Sequence, residues 1–281
     1  MSNVILKDNL VKLIKEKAKM SRIETVNLIA KAGSGHYSSS FSSSEIFATL
    51  YYHVMKVDPQ NPKWPDRDRF VMGKGHAAVG VYPILQDLGF YDRDSMYTYA
   101  DLGSSFGDHP DMNKIKGIDF SSGSIGHGLS VCVGMALGGR IDKKNYRTFC
   151  LMGDGELQEG QVWEAAMSAS NFKLGNLVAI CDHNKVTVDG VIEEMMDIYP
   201  IREKFESFGW NVIDVNGHDV DALIKVFDNL PDSNSDIPTL IIADTISGKG
   251  VSFMEEGYAW HVGNLAPKDV ERAIKEIKEM E

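Results

Sequence analysis

Two short segments of the chain combine a permissive backbone with oxygen-bearing side chains. Gly153-Asp154-Gly155 follows an apolar run at 148–152, and Asn184 follows a second apolar run at 177–181. Asp154 and Asn184 are 30 residues apart, which suits one strand–helix–strand crossover, so we expect both at the same edge of a parallel sheet. A carboxylate, an amide oxygen and a backbone carbonyl suit a hard divalent cation that would bridge to a diphosphate. The glycines would let the backbone approach that anion closely, and the amides at the start of the next helix would favour it.

Four of the eight histidines are singled out because they lie in short motifs with glycine or proline nearby, in segments predicted to be loops. Loops carry a large share of catalytic groups, and imidazoles titrate near neutral pH, so these side chains suit the transfer of hydroxyl protons. The four are His36, His76, His109 and His261. His53 and His218 lack such a motif context, and we interpret them as structural.

The elements that must position these groups alternate between strand and helix. Apolar residues recurring every three or four positions predict an amphipathic helix from 6 to 30. Short continuous apolar runs predict buried parallel strands. The predicted strands are 70–72, 148–152, 177–181, 210–215 and 239–243, and the further predicted helices are 44–55, a stretch ending at 88, 128–140, 160–172, 220–230 and one at the C-terminus. This alternation predicts an α/β fold, with a doubly wound, mostly parallel sheet covered by helices on both faces. We expect residues 1–281 to form a single domain.

Composition narrows the class of protein. Of 281 residues, 43% are hydrophobic and 25% charged, and 29 Lys and Arg against 40 Asp and Glu give a formal charge of −11. That balance argues against a protein that binds nucleic acid or an anionic membrane. Cys132, Cys150 and Cys181 lie far apart among apolar neighbours, which is typical of buried thiols in a reducing compartment. No apolar run is long enough to cross a bilayer, and Lys7 and Asp8 come too early for a signal peptide, so we expect a soluble cytoplasmic protein.

Residues 153–190 together resemble a known family signature. The segment GDGELQEGQVWEAAMSASNFKLGNLVAICDHNKVTVDG is similar to the thiamine diphosphate signature of transketolases. The resemblance implies the thiamine diphosphate-binding fold. It also implies that Asp154, Asn184 and the carbonyl of Val186 hold Mg²⁺ or Ca²⁺ against the cofactor diphosphate, beside Gly153 and Gly155.

Further motifs extend the resemblance from about residue 10 to about residue 270, in the family's order. They are Gly33 to His36, Lys74 to Ala77, Asp108 to Pro110, Ser122 to Gly126, and Ser247 to Met254 with Trp260-His261. The resemblance implies that His36 and His109 face the substrate as catalytic residues, and that His261 lies near the diphosphate and the reacting carbon. It implies cofactor contacts by His76, Gly123, Ile125, Glu159 and His261. Glu159 and Glu164 also match acidic residues near the family's subunit interface.

Two departures from the family pattern lie near the expected reacting centre. Tyr37-Ser38-Ser39-Ser40 replaces the usual proline and glycines after the first histidine, and Ser124 and His127 stand where proline and glutamine are commoner. These changes predict a substrate other than the standard pentose and heptose phosphates.

The resemblance ends where a full transketolase would be less than half finished. The missing part is the pyrimidine-binding domain, which supplies the glutamate that activates the cofactor. The resemblance therefore implies the N-terminal subunit of a split transketolase. Such a subunit would transfer a two-carbon ketol unit from a ketose phosphate to an aldose acceptor only with a separate C-terminal subunit of about 300 residues, a usual domain size, in an α2β2 heterotetramer.

Two other interpretations stay open from the sequence. The Gly-Asp-Gly…Asn signature also fits the diphosphate-binding subunit of a 2-oxo acid dehydrogenase or a deoxyxylulose-phosphate synthase, although the histidine motifs favour transketolase. The chain could also be a non-catalytic module that retains the cofactor ligands. A neighbouring reading frame carrying the complementary half would separate this last interpretation from a split enzyme.

Overall fold

The fold is built on one sheet of five parallel strands. A computed structural model describes residues 2–255 and 257–280 of the chain. The strands are β1 (Arg69–Met72), β2 (Thr148–Gly153), β3 (Leu177–His183), β4 (Asn211–Asn216) and β5 (Thr239–Asp244). Their order across the sheet is β1-β2-β3-β5-β4, and every neighbouring pair is parallel. All five strands were predicted from their apolar runs, and the parallel arrangement is confirmed.

Helices cover both faces of this sheet. They are α1 (Ser2–Ala32), α2 (Ser38–Ser42), α3 (Ser44–Thr49), α4 (Ala78–Asp87), α5 (Arg93–Met96), α6 (Gly128–Ile141), α7 (Gly160–Asn171), α8 (Ile192–Met195), α9 (Ile201–Ser207), α10 (Val220–Asp228) and α11 (Pro267–Glu279). The predicted helix at 44–55 is divided into α3 and a π-helical turn at Leu50–Val54. No periodic pattern in the sequence indicated α2, α5, α8 and α9, which have four to seven residues each.

Alternate residues of each strand enter two separate cores. Phe149 and Leu151 of β2 pack into the core that α1, α3, α4, α10 and α11 cover. Cys150 and Met152 of the same strand enter the opposite core, beneath α6, α7 and α9. Because both faces are buried, the strands read as continuous apolar runs. The predicted doubly wound fold is confirmed.

The long helix α1 lies along the first of these cores. Ile14, Ala18, Val26 and Ile29 are buried, as their spacing predicts, whereas Leu13 remains 39% exposed. No helix within the described ranges is both long and apolar enough to span a membrane. The carboxyl ends of the strands all lie at one edge of the sheet, where the chemistry-bearing loops follow β1, β2, β3 and β5.

Candidate active site

A cleft of about 400 Å³ opens at the carboxyl edge of the sheet. This volume lies in the range typical of sites for small molecules and cofactors. Ten of the twelve site residues expected from the sequence line it: His36, His76, His109, Ile125, Gly153, Asp154, Gly155, Asn184, Val186 and His261.

The other two expected residues lie beside the cleft and do not line it. A Cβ on Gly123 would lie 3.8 Å from the ring of His109, so Gly123 adjoins the histidines. Glu159 is exposed, and its side chain packs against Gly126. Glu159 therefore does not line the cleft.

Asp154 lies at the end of β2, where the strand passes into a 3-10 turn at Gly155–Gln158. Its carboxylate is 1% exposed and accepts two backbone N–H groups, from Gly155 to Oδ1 at 2.9 Å and from Lys185 to Oδ2 at 2.6 Å. Burial raises the pKa of Asp154 to about 7, the nearby Asp182 carboxylate adds to the effect, and the two N–H donors oppose it. A cation placed beside this carboxylate would therefore stabilise its ionised form.

The loop after β3 meets Asp154 through an unusual backbone conformation. Lys185 has a φ of 71°, in the left-handed region that few non-glycine residues adopt. Its N–H is the group that Asp154 accepts. On either side, Asn184 Oδ1 accepts the N–H of Val186 at 3.1 Å, so Asn184 and Val186 are held within the same turn. The structure thus brings the loops after β2 and β3 together, as the crossover spacing predicts.

These donors form a sparse set for a metal. Among the residues that the structure describes, no group of three or more His, Cys, Asp or Glu side chains is arranged to hold an ion. The expected set would instead use one carboxylate with an amide oxygen and a backbone carbonyl. All three are hard oxygen donors, which Mg²⁺ and Ca²⁺ prefer.

Four imidazoles cluster in the same cleft. The ring centroid of His36 lies 4.9 Å from that of His76, 5.6 Å from that of His261 and 6.5 Å from that of His109. The centroids of His76 and His261 are 5.4 Å apart. Residues that are up to 225 positions apart in sequence therefore share one small volume.

The environment keeps two of these rings neutral. Burial, together with the charge of Lys74, holds the pKa of His76 well below its ordinary value. Burial and the neighbouring His36 lower the pKa of His261 to about 4. At neutral pH both rings are therefore unprotonated, and each can accept one hydrogen bond or proton and donate another.

Three groups of the cleft wall were not predicted from the sequence. Lys74 lies above Asp182 and is ion-paired to it, with the two side chains 2% and 0% exposed. Glu156 accepts the N–H groups of Gly126 at 2.9 Å and Gly153 at 3.3 Å, and burial raises its pKa to about 7. The hydroxyl of Ser39 is buried at the cleft without a hydrogen-bond partner among the described residues. Lys74 and Glu156 belong to motifs identified in the sequence analysis, but nothing in the sequence pattern indicated that their side chains are buried.

The histidines interpreted as structural lie outside the cleft. His53 Nε2 is 2.7 Å from Asp228 Oδ1. His218 Nδ1 is 3.0 Å from Glu45 Oε2, and its Nε2 accepts the N–H of Ile246. Each of these rings has a local partner that accounts for its position.

Known proteins are similar to this chain in sequence and in architecture. Residues 14–279 match the family described as "Transketolase, thiamine diphosphate binding domain". The chain is 39% identical over 269 residues to one of the subunits of the apulose-4-phosphate transketolase of Phocaeicola vulgatus, covering 96% of this chain and 95% of that one. It is 37% identical to the 6-deoxy-6-sulfo-D-fructose transketolase subunit SqwG of Clostridium sp., covering 94% and 96%. The crystal structure of transketolase from Campylobacter jejuni superposes with a TM-score of 0.88 at 29% identity, over 95% of this chain and 43% of that enzyme.

Proposed function

Because this chain belongs to the family of transketolase thiamine diphosphate-binding domains, we propose that it is the diphosphate-binding subunit of a two-subunit transketolase. With a separate C-terminal, pyrimidine-binding subunit it transfers a two-carbon ketol unit from a ketose phosphate to an aldose acceptor. The observation that carries the proposal is the meeting, in one cleft, of the Asp154 turn, the Asn184 loop and the four imidazoles.

The residues present fit thiamine diphosphate and a divalent cation. The buried Asp154 carboxylate accepts only backbone N–H groups among the described residues, so a cation has an anionic oxygen to bind. Asn184 and Val186 would complete the metal ligands, and Gly153, Gly155 and His76 would contact the diphosphate. The buried hydroxyl of Ser39, which has no partner within the described ranges, offers one further donor at the cleft.

The mechanism divides the work between cofactor and protein. When bound, thiamine diphosphate supplies a nucleophilic carbon and an electron sink for breaking a carbon–carbon bond next to a carbonyl. His36, His109 and His261 would bind the sugar hydroxyls and move their protons as the donor is cleaved and the acceptor is joined. His261, held neutral by burial, would begin as a proton acceptor.

Asp108 would orient His36 for this role. Its Oδ1 lies 3.1 Å from His36 Nδ1, so the ring presents its other nitrogen as the free acceptor. Burial alone would raise the pKa of Asp108, but the hydrogen bond with His36, together with that from Tyr99, opposes burial, and the pKa is lowered. The carboxylate is thus ionised wherever the enzyme would be assayed.

The proposal extends to assembly, metal and location. Residues 1–281 would act as one domain, paired with the partner subunit in an α2β2 heterotetramer, with Mg²⁺ or Ca²⁺ as the ion. The two relatives are named for an apulose phosphate and a sulfonated fructose, which supports a substrate outside the common pentose and heptose phosphates. The three free cysteines are all buried, which supports a cytoplasmic location.

Reconstitution with the partner tests the proposal. The purified chain alone is expected to bind thiamine diphosphate weakly and to show no ketol transfer, because the group that activates the cofactor would come from the partner. Adding the partner should give transfer at a typical enzyme rate, on the order of 1–10³ s⁻¹, across a panel of ketose and aldose phosphates. Full activity of the chain alone, or release of CO₂ from 2-oxo acids in place of ketol transfer, would contradict it.

A further inference from the structure

Beneath the cleft lies an ion pair that is almost wholly shielded from solvent. Lys74, which follows β1, and Asp182, near the end of β3, are 2% and 0% exposed. The ammonium of Lys74 also donates to the carbonyl of Ser39 at 2.8 Å. A buried pair of this kind is costly to desolvate and is weak evidence for stability alone. Stability alone therefore does not explain why this ion pair lies directly below the cleft.

Asp182 collects donors from four different segments. Its Oδ2 accepts Ser42 Oγ at 2.6 Å, Ser43 Oγ at 3.2 Å, Asn184 Nδ2 at 3.2 Å and the ammonium of Lys74, while its Oδ1 accepts Thr245 Oγ1. These donors come from α2 and its C-terminal end, from the loop after β1 and from the loops after β3 and β5. Because the ammonium of Lys74 and the NH₂ group of Asn184 can only donate, the carboxylate of Asp182 acts towards them as an acceptor.

An acceptor at this position determines which end of the Asn184 amide points inward. Only the NH₂ group of Asn184 can bond to an ionised carboxylate, and it also reaches Ser42 Oγ at 3.4 Å. The amide oxygen must then lie on the other side, where it accepts the N–H of Val186 beside the cleft. Asp182 itself is not among the residues that line the cleft. It can influence the ligands there only through Asn184 and Lys74.

We propose that the Lys74–Asp182 pair is the positioning device for the metal site, because it presents the amide oxygen of Asn184, and not its nitrogen, to the cation. Asp182 holds the NH₂ end, and Lys74 keeps Asp182 an acceptor and ties it to the Ser39 backbone. The inference rests on the proposed function. Asp182 is a positioning residue that touches neither cofactor nor metal.

Replacing Asp182 should lower the affinity of the site for the metal ion. Partners that orient a metal ligand from outside the ligand shell typically change affinity by about 10–100-fold when replaced. Asp182→Asn keeps the shape but lets the residue offer an NH₂ group to Asn184, so the Asn184 amide can turn over. We therefore expect the half-saturating Mg²⁺ concentration to rise by about 10–100-fold. Excess Mg²⁺ should restore thiamine diphosphate binding.

The experiment is calorimetry of thiamine diphosphate binding to the complete two-subunit complex at a series of fixed Mg²⁺ concentrations. The matched control is Thr245→Val, which removes the donor to the other carboxylate oxygen and leaves the Asn184 contact in place. Its Mg²⁺ requirement should stay within about threefold of wild type, the spread expected for context-dependent contacts. If Asp182→Asn does not fold, the double variant Lys74→Met with Asp182→Asn removes the unpaired ammonium and is measured in its place.

A double-mutant cycle identifies the route of the effect. In an Asn184→Ala background, Asp182→Asn should cause no further loss of Mg²⁺ affinity, because the two residues act through one amide. Additive losses would overturn the inference, as would an unchanged Mg²⁺ requirement in Asp182→Asn while Asn184→Ala weakens it. If Asn184→Ala changes nothing, the metal assignment fails and the inference fails with it. If the wild-type complex shows no Mg²⁺-dependent cofactor binding, the proposed function itself is wrong.

Discussion

Asp108 Oδ1 lies 3.1 Å from Nδ1 of His36, and the hydroxyl of Tyr99 donates to the same oxygen at 3.0 Å. The carboxylate thus holds the ring from one side while the other three imidazoles surround it. A histidine fixed by a carboxylate has a defined tautomer, which is what proton transfer to a sugar hydroxyl requires.

The first prediction concerns the Asp108–His36 pair and the neighbouring His109. His36→Ala and His109→Ala are each expected to lower turnover of the two-subunit enzyme by about 10²–10⁴, the usual contribution of a general acid or base. Asp108→Asn should give a smaller loss, because the ring remains but its orientation is weakened. Calorimetry should find nearly unchanged cofactor affinity in all three. His53→Ala, whose ring lies outside the cleft, is the control, and equal losses in that variant would argue against a specific role for the cluster.

The second prediction concerns Asp154. Asp154→Ala should abolish the rise in Tm that thiamine diphosphate and Mg²⁺ give to the complex, because the one carboxylate among the expected ligands is gone. The ligand-free chain should keep its fold, because removal of a desolvated carboxylate offsets part of the cost of the two backbone N–H groups that lose their acceptor. Asp142→Ala, which removes an exposed carboxylate, should leave the ligand-induced shift intact. A full shift in Asp154→Ala would refute the metal assignment.

The third prediction is a pH dependence. His261 has its pKa lowered from 6.5 to about 4 by burial, so between those values the unfolded chain binds the proton and the folded chain does not. The contribution of His261 to the free energy of unfolding therefore falls as the pH falls from about 6.5 towards 4. Relative to His261→Asn, the wild-type chain should lose up to about 2 kcal/mol between about pH 7.5 and about pH 5. Urea titrations of both proteins at the two pH values measure this change in the free energy of unfolding. If the difference between wild type and His261→Asn is the same at both pH values, the prediction is wrong.

The fourth prediction compares two glycines of one helix. A Cβ on Gly128 would lie 2.7 Å from the Cα of Gly73, where α6 begins against the loop after β1. Gly128→Ala should therefore cost about 1–3 kcal/mol of unfolding free energy. A Cβ on Gly134 meets nothing within 4 Å, so Gly134→Ala in the isolated chain should add about 0.5–1 kcal/mol, the ordinary helix preference for alanine. Chemical denaturation of the two variants should show opposite signs, and similar losses in both would contradict the close approach at Gly128.

The strands and long helices could be predicted because their apolar patterns are local. Runs such as Leu177–Cys181 indicate burial on both faces, as in a parallel sheet between helices. The lateral order could not be predicted in the same way. β5 lies between β3 and β4, although β4 comes first in sequence, because strand order depends on where the crossover helices pack. The short helices α8 and α9 were not predicted, since they span too few turns to show a period.

The parts of the site that belong to sequence motifs could be predicted. The loops that carry Asp154 and Asn184 follow neighbouring strands, so their meeting follows from the topology. The roles assigned to those residues and to the histidines stay predictions. The pairing of Lys74 with Asp182 joins residues 108 positions apart and is made by side chains that no linear pattern connects. The cofactor contact assigned to Glu159 also stays a prediction, since a motif match alone suggests it and the fold leaves this side chain exposed beside the cleft.

The Lys74–Asp182 pair also bears on where the terminal anion of a substrate is recognised. Among the described residues that line the cleft, Lys74 is the one permanently cationic side chain, and Asp182 already compensates its charge. A phosphate or sulfonate at the far end of a sugar therefore meets no free cation on this wall. We expect recognition of that terminal anion to reside in the companion polypeptide. Exchanging that companion would then change which terminal anion is accepted, while the residues of this chain near the reacting centre would stay the same.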